Sequence, residues 1–133
     1  MITHKLPFGN FTIHDRYMIG EFMEGVNFDL PMLDTLTSIA QEHFTRPFGY
    51  VANRIHSYSI DPKLYRELDK VPLMQAMAIV TYRTATWQAL QVERGFMPKM
   101  PVGVFFDLTA ALSWVETALD EQPSPPQSRT QRQ

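Results

Sequence analysis

The sequence predicts an α/β domain, in which a mixed sheet of about five strands, entered through an N-terminal hairpin, carries four helices. Three observations lead to that prediction. Two β-rich runs, "NFTIHDRYMIGEFMEG", flank a turn at Asp15 and Arg16. Downstream, the strand-length runs "PFGYVANR", "AMAIVTY" and "VGVFF" alternate with segments whose apolar residues recur at helical spacing. Strands alternating with helices imply largely parallel pairing, with helices packed on the sheet.

Each element has its own local signal. In the hairpin, Tyr17, Ile19, Glu21 and Met23 project to one face and Met18, Gly20 and Phe22 to the other, and the second set is the core-facing one. In "FDLPMLDTLTSIAQEHF", Asp29 is placed to cap a helix, Pro31 falls in its first turn, and Leu33, Leu36, Ala40 and Phe44 share a stripe. "DPKLYRELDKV" reads as a second helix, with Asp61 as its cap, Pro62 at its first position and Pro72 beyond its end. "AMAIVTY" is apolar nearly throughout, as expected of a strand covered on both faces. "RTATWQALQVERGF" is a third helix, with Ala85, Ala89, Val92 and Phe96 on its inward side and Gly95 near its end. "DLTAALSWVETAL" is the fourth, capped by Asp107 and striped by Leu108, Leu112, Val115 and Leu119.

A chain of 133 residues fits a single core, and 44% hydrophobic with 20% charged residues describes a globular protein rather than a disordered one. The domain is expected to span residues 1–121. Residues 122–133, "QPSPPQSRTQRQ", hold no large apolar side chain, which predicts a flexible tail. The formal net charge of −2 comes without a basic stripe, so nucleic acid is not an expected partner. With no cysteine, disulfides and thiolate metal sites are excluded. No apolar run is long enough to span a bilayer and none resembles a secretory leader, so the expected location is the cytoplasm.

No catalytic signature is present. The chain lacks a GxSxG elbow, a Walker loop and a dinucleotide fingerprint. His4, His14, His43 and His56 fall on separate elements, so no metal is expected, and "QEHF" lacks the second histidine of a zincin helix. His56, Ser57 and Asp61 supply triad residue types, yet adjacent residues on an extended chain point to opposite faces. Glu21 and Glu24 read as solvated carboxylates. No cofactor is expected.

The most polar short stretch, "NRIHSYSIDP", runs from the end of a strand to the start of the second helix. Ligands of open α/β sheets gather outside the carboxyl ends of parallel strands. Together with "HFTRPFGYVANRIHSYSIDP", "MAIVTY" and "VFFDLTAALSWV", the element order resembles the bacterial STAS-like (SpoIIAA-like) domains over residues 8–119. That resemblance implies kinship with anti-sigma-factor antagonists and, more distantly, with CRAL-TRIO lipid-binding domains. In the antagonists a serine of this loop is phosphorylated to release a partner, and by position Ser57 and Ser59 correspond to it. The family's Asp-Ser-x-Gly pattern is not kept, because Asn53, Arg54, Ile55 and His56 precede the first serine and no glycine follows.

The expected function is therefore a non-enzymatic STAS-like protein-interaction or regulatory domain that works through loop 53–61 and is open to phospho-regulation. Arg54, His56, Ser57, Tyr58, Ser59 and Asp61 are its candidate residues, with loops 26–29 and 81–84 beside them. The alternative is a carrier or sensor of a small, lipid-like apolar ligand, able to touch a membrane. Trp87, Phe96, Met97 and Met100 are the candidate apolar contacts, because flexible thioethers and aromatic rings fit irregular apolar partners. A protein partner is expected, and a homodimer is compatible with the composition.

Overall fold

Burial alternates residue by residue along Gly9–Ile13 and Tyr17–Phe22, which identifies β2 and β3 as strands with one face in the core. A computed structural model describes residues 1–121 of the chain. The expected tail, residues 122–133, lies outside the described residues. A further strand, β1 (Ile2–Leu6), precedes β2 and pairs with it antiparallel, and β2 pairs antiparallel with β3 around the Asp15 and Arg16 turn. Next come β4 (Asn27–Phe28), α1 (Leu30–His43), β5 (Phe48–Arg54), β6 (Ser59–Ile60) and α2 (Leu64–Leu68). The chain continues through β7 (Met74–Thr81), α3 (Thr84–Glu93), β8 (Val102–Phe105) and α4 (Leu108–Glu121).

The main sheet has six strands in the order β1-β2-β3-β5-β7-β8, parallel from β3 onward, and β4 and β6 form a separate two-stranded parallel ladder. The mixed α/β architecture with four helices stands as expected, but the strand count of about five is corrected. β1 was hidden because Thr3, His4 and Lys5 give it no apolar alternation, and it rests on backbone pairing at the sheet edge.

The sheet separates two apolar layers. Phe48 and Tyr50 of β5 and Met77 and Ile79 of β7 pack with α1, α2 and Leu90 of α3. Val51, Ala76, Ala78 and Val80 face Ala111, Val115, Ala118 and Leu119 of α4. Small residues on that second face let α4 approach closely. A Cβ on Gly49 would collide with Val115 Cγ1, so the glycine is required by the packing of helix on strand.

Two of the helix starts, those of α1 and α4, are set by side-chain oxygens. Asp29 caps α1, its Oδ1 accepting from Met32 N at 3.1 Å, with proline in the first turn and Leu33, Leu36, Ile39 and Ala40 buried. Asp107 starts α4 the same way, accepting from Ala110 N at 3.0 Å. Each such cap is worth about 1 kcal/mol.

Two expectations are corrected. Asp61 does not cap α2: its N–H donates to Phe28 O at 3.0 Å as part of the β4/β6 ladder, and its Oδ1 accepts from Lys63 N in a local turn. Helix α2 accordingly begins two residues later than expected, at Leu64, and Pro62 stands outside it. The inward face of α3 is the other surprise. Ala85, Ala89, Val92 and Phe96 are exposed, Val92 by 81%, and Leu90 alone is fully buried. One leucine, together with a 2.8 Å bond from Tyr65 Oη to Glu93 Oε1 on the same side, outweighs two alanines with little surface to bury.

Candidate functional site

Strand register determines what stands at the carboxyl rim of the sheet. Gly20 of β3 is level with Ala52 of β5, and Ala52 is level with Ile79 of β7. Three residues beyond each of these come Met23, Ile55 and Tyr82, and β8 is followed at once by Phe106. All four are exposed large apolar residues, at 41, 45, 50 and 59%. They follow the adjacent strands β3, β5, β7 and β8 in turn, at the edge where α/β sheets present their ligand sites. Trp87, half-buried at the start of α3, extends the row by stacking on Phe106, with ring centroids 6.2 Å apart.

Polar residues frame this row and hold it in place. Asn53 is buried, its Nδ2 donating to Glu21 Oε2 at 2.8 Å and its Oδ1 accepting from Tyr82 Oη at 2.7 Å. Both bonds fix the amide orientation and hold Tyr82 to β5. Burial, with Glu21 and Asp107 nearby, pushes the Tyr82 phenol above its ordinary pKa, against the opposing effect of its bond to Asn53. Arg83 Nη1 donates to Ser57 Oγ at 3.0 Å, and Ser57 N donates to Glu24 Oε1 at 2.9 Å. His56 Nδ1 lies 3.9 Å from the same Glu24 oxygen.

The six candidates of loop 53–61 divide into two groups. His56 and Ser57 are exposed on the rim beside Ile55. Arg54, Tyr58, Ser59 and Asp61 instead build the loop. Arg54 lies with its guanidinium carbon 4.3 Å from the Tyr58 ring centroid and donates through Nη2 to Tyr58 O at 2.8 Å. Tyr58 packs on Phe22 at 4.8 Å between centroids, and burial of its hydroxyl raises its pKa, partly offset by Arg54. Ser59 remains exposed, yet its Oγ donates to Asn27 Oδ1 at 2.8 Å across the short ladder.

The four apolar candidates also separate. Met97 and Met100 pack against the main core, while Phe96 is 67% exposed. Their loop is tied down by Asp69, whose carboxylate accepts from Lys99 N at 2.8 Å and from Met100 N at 3.3 Å. Trp87 belongs to the rim and not to this loop.

Two pockets against the core are small, and a larger cleft of about 750 Å³, lined by Tyr65, Arg66, Phe96 and Met97 among others, opens at the surface. An apolar cavity of about 20 Å³ lies between α1, α2 and the sheet. A second, of about 30 Å³, lies beneath Arg54 and Tyr58. The Tyr50 hydroxyl lies in this region without a hydrogen-bond partner among the described residues, and burial holds its pKa well above the ordinary value. Volumes of this size hold one or two water molecules, whereas drug-sized ligands need several hundred Å³.

Comparisons of the chain with protein-family models, with curated proteins and with solved structures give no match. The function must therefore be argued from the site itself.

Reading by local motif missed Met23, Tyr82 and Phe106, because each is the single residue after a strand and has no pattern of its own. The strand ends had to be known first: β3, β5, β7 and β8 of the main sheet are each followed directly by Met23, Ile55, Tyr82 or Phe106, whereas the apolar runs of the sequence extend through Tyr82 and Phe106. It also missed the meeting of His4 with His43, whose Nε2 atoms stand 2.9 Å apart.

Proposed function

We propose that this domain is a non-enzymatic, STAS-like regulatory module that docks a protein partner across the carboxyl rim of its sheet. The observation that carries the reading is the exposed row of Met23, Ile55, Tyr82 and Phe106, with Trp87 at its end. A row of large apolar side chains edged by Glu24, His56, Ser57 and Arg83 has the composition of an interface: an apolar, aromatic-rich centre within a charged margin. The residues around it support a binding role over a chemical one. Ser57 Oγ accepts from Arg83 and has no base bonded to it among the described residues, and His56 is 3.9 Å from Glu24.

Ser57 is the favoured position for phospho-regulation, ahead of Ser59. A phosphate there would meet the Arg83 guanidinium and displace the backbone contact to Glu24, altering the middle of the row. Ser59 is engaged with Asn27, and Arg54 with Tyr58. The carrier reading gains no support from the pockets of about 20 and 30 Å³ against the core, and the larger cleft of about 750 Å³ beside Tyr65, Arg66, Phe96 and Met97 is an open surface feature.

The test is comparative. The immobilised domain should retain a partner from a lysate of its source cells. Ile55→Asp and Phe106→Asp should abolish that retention, and Val92→Asp on the outer face of α3 should leave it intact. Loss of the partner in all three variants, or in none, with each folded by circular dichroism, would overturn the rim assignment.

A further inference from the structure

His4 in β1 and His43 in the last turn of α1 are 39 residues apart in the chain, and their Nε2 atoms face one another at 2.9 Å. The rings meet edge to face, with centroids 5.1 Å apart and an interplanar angle of 68°. Glu42 brings a third donor, and the two histidine nitrogens and a Glu42 carboxylate oxygen lie within 4.8 Å of one another. Two nitrogens bound at about 2.1 Å to one ion stand about 3.0 Å apart at a right angle and about 3.4 Å apart at the tetrahedral angle. The observed spacing is close to that of two ligands at a right angle and about 0.5 Å short of the tetrahedral separation, a gap that a small rotation of either ring would close.

We propose that His4, His43 and Glu42 form a binding site for a first-row divalent transition-metal ion such as zinc. Two imidazoles and a carboxylate are the donor set such ions take, with at least one position left for water or an exchangeable ligand. Without an ion the two rings share one N–H···N hydrogen bond, which gives Glu42 no part in the cluster. The site lies at the carbonyl end of α1, where the helix dipole favours a cation. Glu42 is exposed and the histidines are half-buried, which leaves a path of entry from solvent.

The ion would fasten the edge strand β1, which pairs only with β2, to a helix on the same face as Leu6. Neither Nδ1 atom has a protein hydrogen-bond partner among the described residues. Such outer partners strengthen metal sites by about 10–100-fold, so the expected affinity is micromolar rather than nanomolar. The sequence could not show this cluster, because one histidine sits on a strand with no apolar signature and the other on a helix end.

The experiment uses the full chain, freed of any affinity tag and dialysed against chelator. Zinc chloride alone is titrated by calorimetry, and cobalt chloride is followed by visible absorption. One ion per chain is expected, with a dissociation constant of about 1–10 µM, nitrogen-ligated cobalt bands and a higher Tm. His4→Gln and His43→Gln should each weaken binding at least about tenfold, Glu42→Gln should weaken it less, and His14→Gln and His56→Gln should leave it unchanged. Absence of saturable binding below about 100 µM overturns the proposal, as does equal binding by the His4 and His43 variants. Should both of those variants unfold, X-ray absorption of the zinc-loaded wild type decides: two imidazoles in the coordination sphere support the site, and an all-oxygen shell refutes it.

Discussion

The guanidinium of Arg54 lies over the ring of Tyr58, 4.3 Å from its centroid, and the same side chain binds the Tyr58 carbonyl oxygen at 2.8 Å. One residue at the end of β5 thus holds the loop that follows it by both its ring and its backbone. Arg54→Met, which keeps the length and removes the charge, should cost about 1–3 kcal/mol in urea unfolding and raise amide exchange across residues 55–60. Arg54→Lys should recover only part of the loss, because a single ammonium does not reproduce a planar fork that stacks and donates together. Equal stability of Met and wild type would show that the loop is held elsewhere.

Gly20 and Tyr50 occupy the same space. A Cβ on Gly20 would run into the Tyr50 hydroxyl and would come within 2.9 Å of Phe11 Cε1. Gly20→Ala should therefore lower stability by about 1–3 kcal/mol. Tyr50→Phe should be neutral or slightly stabilising, because it removes a buried hydroxyl that has no partner. In the Tyr50→Phe background the cost of Gly20→Ala should fall by about 0.5–1 kcal/mol, and the remainder belongs to Phe11 and to the ring Cζ of residue 50, which phenylalanine keeps. A double-mutant cycle by chemical denaturation measures this coupling, and additivity would disprove the shared space.

Alkali should unfold the protein through its tyrosines. Burial raises the pKa of Tyr50, Tyr58 and Tyr65, and at Tyr65 the bond to Glu93 adds to the effect. The unfolded chain ionises these groups near pH 10 while the folded one keeps their protons, so the unfolded state binds fewer protons and stability falls as pH rises. Urea midpoints should be flat up to about pH 9 and decline above about pH 10, each fully protected tyrosine contributing a slope of about 1.4 kcal/mol per pH unit. Tyr65→Phe should make the decline shallower; an unchanged slope would remove Tyr65 from the account.

The orientation of α3 gives a contrast between near neighbours. Leu90 is 2% exposed and Val92 is 81% exposed. Leu90→Ala should cost about 2–5 kcal/mol. Val92→Lys should change stability by less than about 0.5 kcal/mol. Thermal unfolding of the two variants separates this orientation from the one the helical stripe suggests, in which their effects would be reversed.

Elements with strong local chemistry were legible in the sequence. Asp29 and Pro31 marked the start of α1, Asp107 marked α4, and the alternation of Met18, Gly20 and Phe22 gave the core face of β3. The order of helices and parallel strands followed from these, and it placed loop 53–61 at the carboxyl rim. What escaped was whatever depends on contacts distant in the chain. β1 depends on backbone pairing with β2, and Asp61 looks like a cap until Phe28 O claims its N–H. The stripe of Ala85, Ala89, Val92 and Phe96 looks inward until Tyr65 draws Glu93 to the opposite side. The loop was located correctly, but the division of labour within it depends on neighbours: Arg54 and Tyr58 hold each other, and Ile55, His56 and Ser57 are left to face outward.

The short β4/β6 ladder couples two connections that the sequence separates by some thirty residues. Asn27 and Phe28 are paired with Ser59 and Ile60, and Gly25 N adds a 2.7 Å bond to Ser57 O. The link from β3 to α1 and the link from β5 to α2 are therefore tied together by backbone hydrogen bonds where they leave the sheet. Asn27, which accepts from Ser59 Oγ, thereby joins the segment after β3 to the loop that carries His56 and Ser57.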